Sequence, residues 1–299
     1  MKKIRLLFFL VIVNASCIAQ EKACREIVPP SFSETIKNEY EQKRASAKQQ
    51  YEKDTTDAEA IIWYGRRTAY TGKYMEAIAI FSKGIVLHPG DARLYRHRGH
   101  RYITIRCFDK AIDDLEKAAQ LIKDKQDEVE PDGLPNAKNI PTGTLQSNIW
   151  YHLGLAHYLK GDFKKAEKAY RECLEVSTNN DMYVAIANWY YLTLRRLGKK
   201  NKAKQLLDTV DPGKELIENK DYLKILLLYK QEADFTDPLL LLEENNTLSS
   251  STYGYGLAMY CLLQQGGKEN AQKVLNKVCG GNQWASFGFI SAEAELQKR

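Results

Sequence analysis

The chain has 299 residues, 44 Lys plus Arg against 38 Asp plus Glu, a net charge of +6 and 44% hydrophobic residues. That is apolar enough to bury a sizeable core, and too weakly basic to argue for nucleic acid as a partner. After the first residues no apolar run approaches the roughly 20 needed to span a bilayer.

Lys2, Lys3 and Arg5 precede an apolar run of eight at 6–13 and the small residues Ala15, Ser16, Cys17 and Ala19. This three-part layout predicts a secretory signal over 1–19, and with it an exported chain, periplasmic or secreted. Two processing routes fit. Cleavage after Ala19 leaves Gln20 first and releases a soluble protein. Alternatively, Ala15, Ser16 and Cys17 resemble the end of a lipobox, although Asn14 is not aliphatic. A lipid on Cys17 would make the chain an outer-membrane lipoprotein. Without Lys2, Lys3 and Arg5 the charge of +6 falls to +3.

Residues 20–57 form an N-terminal segment, with a strongly charged helix predicted from Ser33 to about Lys53. Cysteines stand at 17, 24, 107, 173, 261 and 279, with no CxxC, which excludes a zinc ribbon and a thioredoxin-like motif. Cys261 and Cys279 are the pair close enough in sequence to suggest a disulfide. The alternative is that the cysteines are small apolar residues on packed helices.

From Ala58 onward the sequence repeats. Gly65, Tyr74, Ala77, Phe81 and Leu87 recur 34 residues later as Gly99, Phe108, Ala111, Leu115 and Leu121. The third copy holds Trp150, Leu153, Gly154, Gly161, Ala166 and Tyr170; Ala111 to Ala166 is 55 residues, one period plus 21. Ala203 follows Ala166 by 37. Gly198, Ala203, Leu207 and Val210 recur 68 further on, at Gly266, Ala271, Leu275 and Val278, so a degenerate copy lies between. Each copy reads as two amphipathic helices around a short turn, which cannot bury its apolar face without neighbours.

This pattern resembles the tetratricopeptide repeat, carried most directly by Trp150, Leu153, Gly154, Gly161, Ala166 and Tyr170, and by Gly65, Gly72, Ala77, Phe81 and Pro89. The resemblance implies an all-α array of helical hairpins forming a right-handed superhelix, an α-solenoid with a concave face. The predicted hairpins are 58–91, 92–122, 147–180, 184–212, a degenerate 218–246, and 252–280, within an array over 58–280. Asp237 and Pro238 are read as a cap and first-turn proline in the degenerate copy. A C-terminal capping helix is expected within 281–299.

The extra residues fall in a loop at 123–146, whose three prolines and two glycines forbid a continuous helix. Its first half is acidic, with Asp127, Glu128, Glu130 and Asp132. The repeat before it crowds Arg93, Arg96, Arg98, Arg101 and Arg106 together with His97 and His100. Arg98 stands where the resemblance implies a buried leucine, so it needs a partner: the acidic loop, Asp113 or Asp114.

Two readings of the arginines remain. They build an ion-pair network that fixes the loop to the array, or they line a groove that takes carboxylates or phosphates. In the second, Arg66, Arg96 and His100 bind a partner, with Tyr70 and Tyr151 as aromatic walls. Some family members clamp a peptide's terminal carboxylate, but Ile62 and Arg66 occupy the first copy's clamp sites here. His97 and His100, three apart, could share a helix face toward a metal, although such residues are more often plain groove residues. No GxSxG, HExxH, P-loop or GxGxxG occurs.

The expected function is a non-enzymatic scaffold of the cell envelope or secreted space, without cofactor, binding a protein or peptide segment on the concave face. The alternatives are a lipid-anchored envelope-assembly protein, and an enzyme or small-anion receptor using the Arg/His patch.

Overall fold

The computed structural model describes residues 24–231, 238–242, 247–263 and 267–298. Residues 1–19 with Cys17, where a signal is expected, and the positions Asp237 and Gly266 lie outside them. Thirteen α-helices fill the described residues, and no helix is long and apolar enough to cross a membrane.

Helix α1 (Glu34–Lys53) packs on the first hairpin, α2 (Ala58–Tyr70) and α3 (Tyr74–Leu87). Three more hairpins follow: α4 (Ala92–Thr104) with α5 (Phe108–Ile122), α6 (Leu145–Lys160) with α7 (Phe163–Val176), and α8 (Asn180–Arg196) with α9 (Lys200–Asp208). The degenerate region supplies α10 (Lys220–Gln231) and a 3-10 turn, Pro238–Leu241. The last hairpin is α11 (Leu248–Leu263) with α12 (Lys268–Cys279), and α13 (Phe287–Gln297) closes the chain.

Local chemistry starts and stops these helices. Asp57, Asp91, Asn179 and Ser286 each accept a backbone N–H of the first turn that follows them, and Thr144 with Ser147 forms a reciprocal capping box. The turns after α2, α6 and α8 put Gly72, Gly161 and Gly198 at φ 82°, 81° and 72°, the left-handed region where glycine carries no Cβ penalty. Between the two helices of a hairpin the fit is tight. A Cβ on Gly65 would stand 2.4 Å from the Phe81 ring, and one on Gly154 would stand 2.6 Å from the Tyr170 ring.

The inner helices α2, α4, α6 and α8 lie side by side in that order. The face they share is largely covered by the chain itself. Tyr255 of α11 meets α6 and α8 through a 2.7 Å hydroxyl contact with Tyr158 and a stack on Trp189. Tyr229 of α10 stacks on Tyr191 with centroids 4.6 Å apart. Arg196 pairs with Glu295 of α13 at 2.5 Å, and Arg106 with Glu293 at 2.8 Å. Curvature brings the C-terminal helices back inside, where aromatic rings fill the space.

Of the two cysteine readings, that of packed apolar residues holds for the buried free Cys173 and Cys261, and the Cys261–Cys279 pairing is corrected. Cys24 bonds Cys107, tying the N-terminal segment to the turn between α4 and α5, while Cys261 and Cys279 are free thiols. Nearness in sequence misled: Cys261 is fully buried in the interior of α11, whereas the extended stretch before α1 runs back across the array to Cys107.

Candidate functional site

The loop at 123–146 is folded down, not splayed. Glu130 N–H donates to Gly143 O at 3.1 Å and Leu145 N–H to Glu128 O at 2.8 Å, closing its neck. Its acidic half then lies over the inner helices, held by the arginines there. Arg66 donates to Pro131 O and Arg67 to Gly133 O, each at 2.6 Å. Arg96 pairs with Glu130 at 2.9 Å, both side chains being nearly buried. Arg98 takes Asp114 as a two-pronged partner at 2.8 and 2.7 Å, inside its own hairpin. The ion pair that fixes the loop is therefore made by Arg96, whereas Arg98 finds its partner within its own hairpin.

Beneath the loop a cavity of about 590 Å³ remains. Arg66, Tyr70, Arg96, His100 and Tyr151, the five residues singled out from sequence, all line it, so α2, α4 and α6 bring them to one place. They stand in register: Arg96 and Tyr151 are equivalent positions of successive copies, 55 apart. Arg66 is the equivalent of His100, 34 earlier.

The cavity also contains residues that sequence reasoning did not select. His152 lies 4.4 Å from His100, ring centroid to centroid, and Phe287 of α13 lies 5.3 Å from His100 and 5.5 Å from His152. Tyr151 is fixed from behind, accepting from Trp189 Nε1 at 2.8 Å and touching the Tyr222 hydroxyl at 3.1 Å. Arg101 and Asp132 complete the charged lining. The signal for Arg101 and His152 was present in the repeat register, since they follow Arg67 by 34 and His97 by 55. No periodicity points to Phe287 or Asp132.

Burial sets the protonation of the site. His97, His100 and His152 are held well below the usual imidazole value, first by desolvation and then by nearby arginines, so they are neutral at pH 7. His152 Nδ1–H donates to Asn148 O. His97 receives an Arg96 N–H on Nδ1 at 3.0 Å, which suits a structural imidazole. Among the described residues no group of three or more His, Cys, Asp or Glu is placed to hold a metal ion.

Residues 147–180, the hairpin of α6 and α7, match the tetratricopeptide repeat family. That hairpin is a tetratricopeptide repeat. No curated protein sequence matches it. Three solved structures are similar in fold. YrrB, described as a TPR protein with an unusual peptide-binding site, is 14% identical over 85% of this chain and 99% of its own, at TM-score 0.44. MamA (MSR-1) is 17% identical over 66% and 90%, at 0.42. The APC/C hetero-tetramer Cut9-Hcn1 is 14% identical over 87% and 40%, at 0.48.

Proposed function

We propose that this chain is an exported, non-enzymatic scaffold that holds a segment of a partner protein across the mouth of the cavity between α2, α4 and α6. The observation that carries the reading is the convergence of Arg66, Tyr70, Arg96, His100 and Tyr151 on one cavity. Its lining also includes Leu134 and Leu248, which are 46% and 61% exposed. Exposed apolar side chains beside arginine and tyrosine are the composition of binding hot spots. The basic and apolar start of the sequence supports export, and so does the Cys24–Cys107 bond, since disulfides persist in oxidising compartments. A lipid on Cys17 would tether the chain seven residues before that bond, and the mass of the mature N-terminal peptide distinguishes it from cleavage after Ala19.

A photo-crosslinking residue at Leu134 or Leu248, compared with one at the remote and exposed Val86, tests the partner surface. The expected result is the same discrete adduct from Leu134 and Leu248, absent from Val86 and weakened by His100→Ala. Equal adducts from all three positions, or none, overturn the reading.

A further inference from the structure

The cavity carries polar groups that the chain itself leaves unmatched. Among the described residues Arg101 has no ion pair and no side-chain hydrogen bond, although it faces the cavity from the last turn of α4. Arg96 Nε and Asp132 Oδ2 are buried and without a partner. Arg101 is partly exposed at the cavity, whereas the Arg96 donor and the Asp132 acceptor are turned from water and costly unless something meets them.

Their charges are sorted by wall. The charged side chains that bear on Arg101 are Arg96 and Arg66, both cations on α4 and α2. Burial first, then these cations, bring Arg101 down to about 10, so it stays charged at pH 7. Asp132 instead has Glu218 as its leading charged neighbour; burial with Glu218 pushes it up to about 6, against the opposing pull of Arg66, which stands between the two groups of charges. Glu218 accepts from the Thr142 hydroxyl on the same side of the cavity, and Asp221 of α10 adds a further carboxylate to the lining. Glu130, the remaining acid, is engaged by Arg96. The site thus has a cationic wall and an acidic wall, with Tyr70, Tyr151 and Phe287 among its aromatic surfaces.

We propose that this cavity binds a small zwitterion of the amino-acid or short-peptide class, with its carboxylate at Arg101 and its ammonium group at Asp132 and Glu218. A carboxylate supplies acceptors to the Arg101 guanidinium and Arg96 Nε, and an ammonium group supplies three donors toward Asp132 Oδ2. The aromatic surfaces receive the side chain. A volume of about 590 Å³ is within the roughly 300–1,000 Å³ of small-ligand sites. A simple anion would leave Asp132 unmatched, and a simple cation would leave Arg101 unmatched. The inference rests on the cavity being a binding site, but not on a protein partner at its mouth.

The test uses the full mature chain in thermal unfolding with pools of the natural L-amino acids and of L-dipeptides, each compound at about 1 mM. At least one pool raises the melting temperature by about 2 °C or more, as expected for a ligand well above its Kd. Calorimetry on the responding compound then compares its free, N-acetylated and C-amidated forms. Blocking either end weakens binding roughly tenfold or more, the loss of one charge-assisted contact. Arg101→Gln and Asp132→Asn each do the same to the free compound. Asp132→Asn also removes a buried charge, so it folds at least as well as the parent and keeps the test sound if Arg101→Gln does not fold. No response from any pool, or blocked forms binding as tightly as the free one, overturns the proposal. If the pools fail while the Leu134 adduct persists, the scaffold reading stands and the zwitterion is wrong.

Discussion

The Arg106 guanidinium lies 3.8 Å from the centre of the Trp284 ring and donates to the Trp284 carbonyl at 2.9 Å. These residues are 178 apart in sequence. Arg106 occupies the turn position that glycine holds after the other inner helices, 34 residues beyond Gly72, and like them it has a positive φ, 62°. An arginine there accepts a backbone cost in the left-handed region. In return its side chain ties the second hairpin to Trp284 and Glu293 at the far end, and Arg25 reaches the same Glu293 at 3.0 Å. These contacts join the second hairpin, the N-terminal segment and the last helix at one point.

Removing these contacts has an ordered outcome. Arg106→Ala leaves Glu293 short of its main partner and destabilises the chain by about 3–5 kcal/mol, the usual cost of breaking a buried pair. Arg106→Gly loses the same contacts but suits the positive φ, so it is less harmful by about 1 kcal/mol. Urea unfolding followed by Trp fluorescence measures both, and an alanine variant as stable as the glycine one contradicts the backbone argument.

Gly154→Ala is destabilising by about 1–3 kcal/mol, because overpacking against Tyr170 outweighs the roughly 1 kcal/mol that alanine gains in helix propensity. Among the described residues the buried Tyr170 hydroxyl has no partner, so Tyr170→Phe costs nothing or stabilises. Calorimetric melting of both variants checks the pair.

A non-reduced digest of the protein contains the linked peptides carrying Cys24 and Cys107, and none joining Cys261 to Cys279. Removing the link by Cys24→Ser lowers stability by about 2–4 kcal/mol in the chain-entropy picture of a long closed loop. Peptide mass mapping and thermal unfolding read the two outcomes.

Acid weakens the fold through the cavity histidines. Unfolded, His97, His100 and His152 take up protons below about pH 6.5; folded, they resist, so their stabilisation is lost as pH falls through that value. Asp132 acts in the opposite sense. Its folded value, near 6, exceeds its unfolded one, so the folded state takes up that proton first and is stabilised between about pH 6 and 4. Three histidines oppose one aspartate, and the urea midpoint at pH 5 falls below that at pH 7.5. His100→Gln shrinks the difference, whereas Asp132→Asn enlarges it.

The repeat itself was legible because it is a matter of neighbours. Gly65 with Phe81, Gly99 with Leu115, and Gly154 with Tyr170 are all 16 apart and meet within their hairpins. Equivalent residues of adjacent hairpins are one period apart, which is why Arg66, Tyr70, Arg96, His100 and Tyr151 could be placed on inner helices and do share a cavity. Contacts of fixed sequence separation leave a periodic trace in the amino acids. Remote contacts leave none: Cys24 with Cys107, Arg106 with Trp284, and His100 with Phe287 join residues with no common register. Which of them meet depends on the summed curvature of successive hairpins, and a small rotation at each one decides where the chain's far end arrives. That summation made the inner face of an open-looking array into a covered one, and left Arg101 facing a cavity in place of a partner.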